Sequence, residues 1–165
     1  MKTSSIAWCD YSGGPLNFVL RGKDDCECSP GCQNCYMAAL DKRFGVLPEV
    51  TTTYPDKLDK LRRMRFPEYS PKRGAPHRPM AFVVDGGDLF HENVSTDFIF
   101  RVFDMMSGRP DVTWQILTKR AMRMEALMKL WLFRHGWKWI PSLWLGVSAE
   151  NQAMADERIP YLLDT

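Results

Sequence analysis

From residue 80 onward the sequence alternates short, β-rich apolar runs with longer stretches of helical periodicity, and this rhythm constrains the fold more than any other feature. Met80-Ala81-Phe82-Val83-Val84 predicts a buried strand, and Asp97 to Met106 places Phe98, Ile99, Val102, Phe103 and Met106 on one helical face. The pattern then repeats. Val112 to Leu117 predicts a strand and Ala121 to Arg134 a Met/Leu-rich helix, followed by a strand over Leu143 to Val147 and a helix over Gln152 to Leu163. Strands alternating with helices of this length imply parallel βαβ units with right-handed crossovers. An earlier strand near Ile6 to Cys9, with a helix from about Tyr36 to Phe44, would make four units. The expected fold is therefore α/β, a partial (β/α) barrel of about four βα units on a parallel sheet, half of a TIM-like barrel. Such a half-barrel exposes a strand edge, to be covered by further chain, a second polypeptide or a homodimer partner.

At 165 residues and 45% hydrophobic, the chain suits a single domain over residues 1–165. Residues 45–79, rich in Pro and basic side chains, read as an insertion on the rim, with a short helix over Asp56 to Arg65. From Lys60 to Pro79 seven Lys/Arg face one acid, Glu68, an excess able to track a nucleic-acid backbone although the net charge is only +2. The same excess also suits a solvated helix end and loop. The N-terminus lacks the apolar stretch of a signal peptide, and no apolar run approaches the roughly 18 residues of a membrane span. A cytoplasmic protein without membrane contact is expected.

Four of the five cysteines, Cys26, Cys28, Cys32 and Cys35, fall within ten residues. Thiols so close in a reducing compartment bind metal or an iron–sulfur cluster more readily than they form disulfides. Cys28, Cys32 and Cys35 have the spacing Cys-x3-Cys-x2-Cys, with Cys26 as competing ligand. Three thiolates would leave one iron of a [4Fe–4S] cluster open to a small molecule. Four would close a tetrahedral zinc site without reactivity. In parallel α/β folds ligands sit beyond the C-terminal ends of the strands. The remaining candidates are therefore the loops after the later strands: Asp85-Gly86-Gly87-Asp88, Thr118-Lys119-Arg120 and Ser148-Ala149-Glu150-Asn151.

The cysteine spacing on a loop after the first strand resembles the radical S-adenosylmethionine (SAM) superfamily. The phrases Ser29-Pro30-Gly31-Cys32-x-Asn34-Cys35-Tyr36, Asp88-Leu89-Phe90-His91-Glu92, Leu117-Thr118-Lys119-Arg120 and Trp144 to Gln152, ending in Ala155-Asp156-Glu157-Arg158-Ile159-Pro160, are similar to a phage and bacterial family of unknown function described as radical-SAM-like. The resemblance covers the chain from about residue 6 and implies further strands beyond Thr165. It implies a [4Fe–4S] cluster on Cys28, Cys32 and Cys35, SAM as co-substrate, an external electron donor, and a 5′-deoxyadenosyl radical acting on an unknown substrate. Gly86, Gly87 and Asp88 would hold the SAM amino group. Lys119 or Arg120 would meet its carboxylate, and Ser148, Glu150 or Asn151 its ribose. Ser148 and Asn151 would equally serve as helix N-caps.

The alternative from another class is a zinc-binding structural or interaction module. Cys9 reads as a buried small apolar residue able to approach a cluster, and His91 as a rim histidine that is structural, an acid–base group or a substrate contact. Trp131, Trp137 and Trp139 read as cover for outer helices or as base-stacking residues.

Overall fold

A computed structural model describes residues 4–25, 29–34, 47–66 and 78–165. Cys26, Cys28 and Cys35, the helix expected over 36–44 and part of the 45–79 segment lie outside the described residues.

The sheet that organises the molecule has three parallel strands in the order β3-β4-β5: β3 (Met80–Phe82), β4 (Thr113–Thr118) and β5 (Leu143–Val147). Two further strands, β1 (Val19–Leu20) and β2 (Thr52–Thr53), form a separate antiparallel pair. The helices are α1 (Pro55–Arg63), α2 (Thr96–Ser107), α3 (Ala121–Arg134) and α4 (Gln152–Leu163). The protein is thus a mixed α/β fold. The apolar run at Ile6 to Cys9 is not a strand. Residues 5–8 turn, with the Cys9 N–H donating to the Ile6 carbonyl, and the chain reaches the sheet only at Tyr11, through one parallel bridge to Ala81. Gly13, at φ 72°, then turns it away from the sheet.

The parallel register sorts side chains by face. Ala81, Trp114 and Leu143 stand abreast, with Ile116 two residues further along β4, and all four are buried. They join one hydrophobic cluster with Ile99, Val102, Phe103 and Met106 of α2 and Met124, Met128 and Trp131 of α3. The opposite face carries Phe82, Gln115 and Trp144 abreast, then Leu117. It is covered in part by Trp8, whose ring meets Phe82 at 4.6 Å and whose carbonyl accepts from the Gln115 amide. Trp144 stays 55% exposed on that face.

The helices start where the sequence supplies caps. Ser95 Oγ accepts from the Phe98 N–H ahead of α2, and Asn151 Oδ1 accepts from the Met154 N–H ahead of α4. Trp131 is core, its indole N–H donating to Asp104, whereas Trp137 and Trp139 are exposed.

Candidate functional site

A cavity of about 390 Å³ opens where β3, β4 and β5 end, as expected for a parallel sheet. Cys32, Gly86, Gly87, Asp88, Lys119 and Ser148, drawn from four chain segments, all line it. Its lining mixes apolar side chains, Ile6, Trp8, Phe82, Val84 and Leu117, with charged ones, Arg21, Asp25, Asp85 and Arg120.

The loop after β3 is set by an unusual backbone. Val84 has φ 58°, a left-handed conformation that a β-branched residue adopts only under constraint. Its N–H donates to the Leu16 carbonyl and its carbonyl accepts from the Gly87 N–H. Gly87 must lack a side chain, because a Cβ there would lie 3.0 Å from the Val19 carbonyl oxygen and 3.1 Å from the Arg21 nitrogen. The Arg21 N–H also donates to the Gly86 carbonyl, so the segment after β1 braces the glycine pair.

Asp88 is buried and fully engaged. Its carboxylate accepts from the Thr118 hydroxyl at 2.7 and 2.8 Å, the Lys119 N–H at 3.1 Å, the Phe90 N–H at 2.9 Å and Arg120 Nη1 at 3.2 Å. It therefore stitches the β3 loop to the β4 loop. Arg120 extends the network, with Nη2 at 2.8 Å from Asp25 and Nε at 2.9 Å from Glu92. Burial pulls the guanidinium pKa down, but Asp88, Asp25 and Glu92 outweigh it and hold Arg120 above its ordinary value. For Glu92 burial pushes upward, and its own backbone, Arg120 and His91 bring the carboxyl below the usual range. His91 is buried beside this network. Its Nδ1 accepts from the Asn93 N–H at 3.1 Å, which places the ring proton on Nε2, facing Glu92 at 3.8 Å, Asp24 at 3.9 Å and Asp25 at 4.0 Å.

Cys32 Sγ lies 3.0 Å from Lys119 Nζ, an ammonium–sulfur contact across the mouth of the cavity. The Ser29–Asn34 segment is pinned from the far side by Glu150, which accepts from the Gly31 N–H at 3.3 Å and from Arg158 at 3.0 Å. Burial raises the Glu150 pKa, but the Ser29 hydroxyl, its own backbone, the Gly31 N–H and Arg158 outweigh it and bring the carboxyl to about 2. Glu150 and Asn151 stand outside the cavity wall. Glu150 clamps the cysteine segment, and Asn151 caps α4. Cys9 is buried in the N-terminal turn, away from the wall.

Among the described residues, no group of three or more His, Cys, Asp and Glu side chains could hold a metal ion. Of the four clustered cysteines only Cys32 is described. Its soft sulfur, on the cavity wall beside an ammonium, suits a metal or cluster ligand. Ile6, Trp8, Arg21 and Asp25 had no signal in the sequence, since each reaches the cavity by folding back from the N-terminal segment.

No curated protein and no solved structure matches the chain. The family described as "Protein of unknown function (DUF5131)" matches residues 3–165, and the chain belongs to that family.

Proposed function

We propose that this is a radical-SAM-like iron–sulfur protein, an open arc of a βα barrel that holds a [4Fe–4S] cluster on Cys28, Cys32 and Cys35 and SAM in the cavity at the strand ends. The observation that carries this reading is the convergence of Cys32, Lys119, Gly86, Gly87 and Ser148 on one cavity lined by both apolar and charged side chains. A sulfonium amino acid joined to an adenosine needs both kinds of lining. A cluster held by Cys28, Cys32 and Cys35 would supply the single electron, drawn from an external donor, for reductive cleavage of SAM and hydrogen-atom abstraction from the substrate.

The chain's own residues orient and shield. Lys119 donates to Cys32 Sγ and offsets negative charge beside it. Gly86 and Gly87 line the cavity, and Gly87 lets the loop pack against the backbone of Val19 and Arg21. The ligand's ammonium is assigned to the acidic loop after β3, where Asp85 and Asp88 both line the cavity and Asp88 fixes the loop against Thr118 and Lys119. Ser148, which lines the cavity, is assigned to the ribose.

The test is anaerobic reconstitution with iron and sulfide, counting both beside zinc, in wild type, Cys26→Ala, Cys28→Ala and Cys32→Ala. About four irons and four sulfides per chain, lost in Cys28→Ala and Cys32→Ala and kept in Cys26→Ala, support the reading and justify an assay of SAM cleavage. One zinc per chain that depends on all four clustered cysteines, with no iron uptake, replaces it with a structural module.

A further inference from the structure

The other end of the sheet carries a second cleft with a different chemistry. Pro79 precedes β3 and Asp111 lies just before β4, and between them and the end of α1 is a cleft of about 460 Å³ lined by Arg62, Arg63, Arg65, Arg109 and Phe66. Six residues of β4, roughly 17 Å of strand, separate this end from the loop that carries Lys119. The two clefts are distinct sites.

Four arginines face a single acid there, Asp111, and that acid is already taken. Arg109 grips it with Nε at 2.8 Å and Nη2 at 2.7 Å, and the hydrogen bonds from Arg109 hold the Asp111 carboxyl below its usual range. Arg109 Nη1 also donates to the Leu61 carbonyl at 2.8 Å, which fixes the end of α1 against the α2–β4 turn and sets the cleft's shape. Among the described residues, no hydrogen bond or ion pair engages the side chains of Arg62, Arg63 or Arg65, and all three are exposed. Cations in the last turn of a helix complement its dipole, which accounts for Arg62 and Arg63. It does not account for Arg65, beyond the helix end. Three exposed guanidiniums gathered in one concave site raise the local positive potential and attract an anion.

We propose that this arginine cleft docks the phosphodiester backbone of a nucleic acid. A guanidinium fork matches a phosphate bidentately, and several forks in a row fit a polyanion with regularly spaced charges better than a single small anion. Phe66 is packed edge-on against Trp114 and Tyr11, so it is not a stacking platform. Binding is therefore by backbone charge and independent of sequence.

The experiment is a polarisation titration of the full chain with labelled single-stranded DNA, single-stranded RNA and duplex DNA of arbitrary sequence, from about 50 to 200 mM salt. Wild type binds with affinity that falls linearly in log salt. Arg62→Ala/Arg63→Ala/Arg65→Ala weakens binding at least tenfold and lowers the salt slope by about two to three. The corresponding triple Lys variant keeps the slope and loses affinity, which separates charge from fork geometry and guards against a folding artefact. The three probes distinguish DNA from RNA. Absence of binding at the lowest salt, or unchanged binding by the triple Ala variant, overturns the proposal. Equal competition by a polyglutamate peptide of matched charge overturns it in favour of an acidic protein partner. Iron uptake is independent of this cleft, so its failure would leave the salt-dependent binding intact.

Discussion

The Asp88 carboxylate is occupied by four residues of its own chain, and this decides what the loop after β3 can do. In the sequence, Gly86-Gly87-Asp88 looks like a glycine pair followed by a ligand-binding acid. Folding gives the acid to Thr118, Lys119, Arg120 and Phe90 instead, although Asp85 and Asp88 both line the cavity. Gly87 was legible because close backbone approach favours a missing Cβ, here against Val19 and Arg21. The donors around Asp88 were not, since three of the four lie about thirty residues away. Glu150 makes a residue-scale prediction. Its pKa is depressed from the usual 4.5 to about 2 in the folded state. Its contribution to stability is therefore complete above about pH 4.5 and is lost as pH falls towards 2. Urea unfolding of Glu150→Gln across that window should show a flatter decline than wild type, with a lower plateau at neutral pH.

At the scale of elements, periodicity was a good guide wherever a segment buries one face. α3, β5 and α4 lie where the sequence puts them, and α2 and β4 within a residue or two, because Phe98, Ile99, Val102, Phe103 and Met106 can only be buried together from a helix. The first strand failed for an equally physical reason. Ile6 to Cys9 is apolar but turns, and the Met80 carbonyl, seventy residues on, pairs with the N–H groups of Asp10 and Tyr11 instead. The loop between β3 and α2, besides its bonds through Asp88 and Glu92, is braced from α3 by one side chain. Arg123 donates to the carbonyls of Phe90, His91 and Val94. Arg123→Met keeps the stem but removes these charge-assisted bonds, and should cost about 2 to 4 kcal/mol in chemical denaturation. Hydrogen exchange should accelerate first across residues 88–94, with little change in β4.

For the whole molecule, the parallel strands put every C-terminal loop at one end of the sheet and the arginine cleft at the other. That polarity was foreseeable from the βα rhythm. The position of the basic segment relative to it was not, because only folding shows that α1 ends beside the starts of β3 and β4. No helix among the described residues is long and apolar enough to cross a membrane. If Cys32 ligates a cluster, loading it links to global stability, since anything that binds only the folded chain raises its melting temperature. Reconstituted wild type should melt above the metal-free chain, and Cys32→Ser should melt at the same temperature with and without iron and sulfide. Arg120 meets three acids from two separate stretches of chain, Asp25 on one and Asp88 with Glu92 on the other. The order in which substitutions can accumulate there is consequently restricted. Loss of Arg120 first would leave the buried Asp25 and Asp88 without their guanidinium, whereas loss of exposed Glu92 leaves two partners in place. Giving up Glu92 before Arg120 therefore costs less at each step than the reverse order, so the hub biases the path by which the sequence can drift.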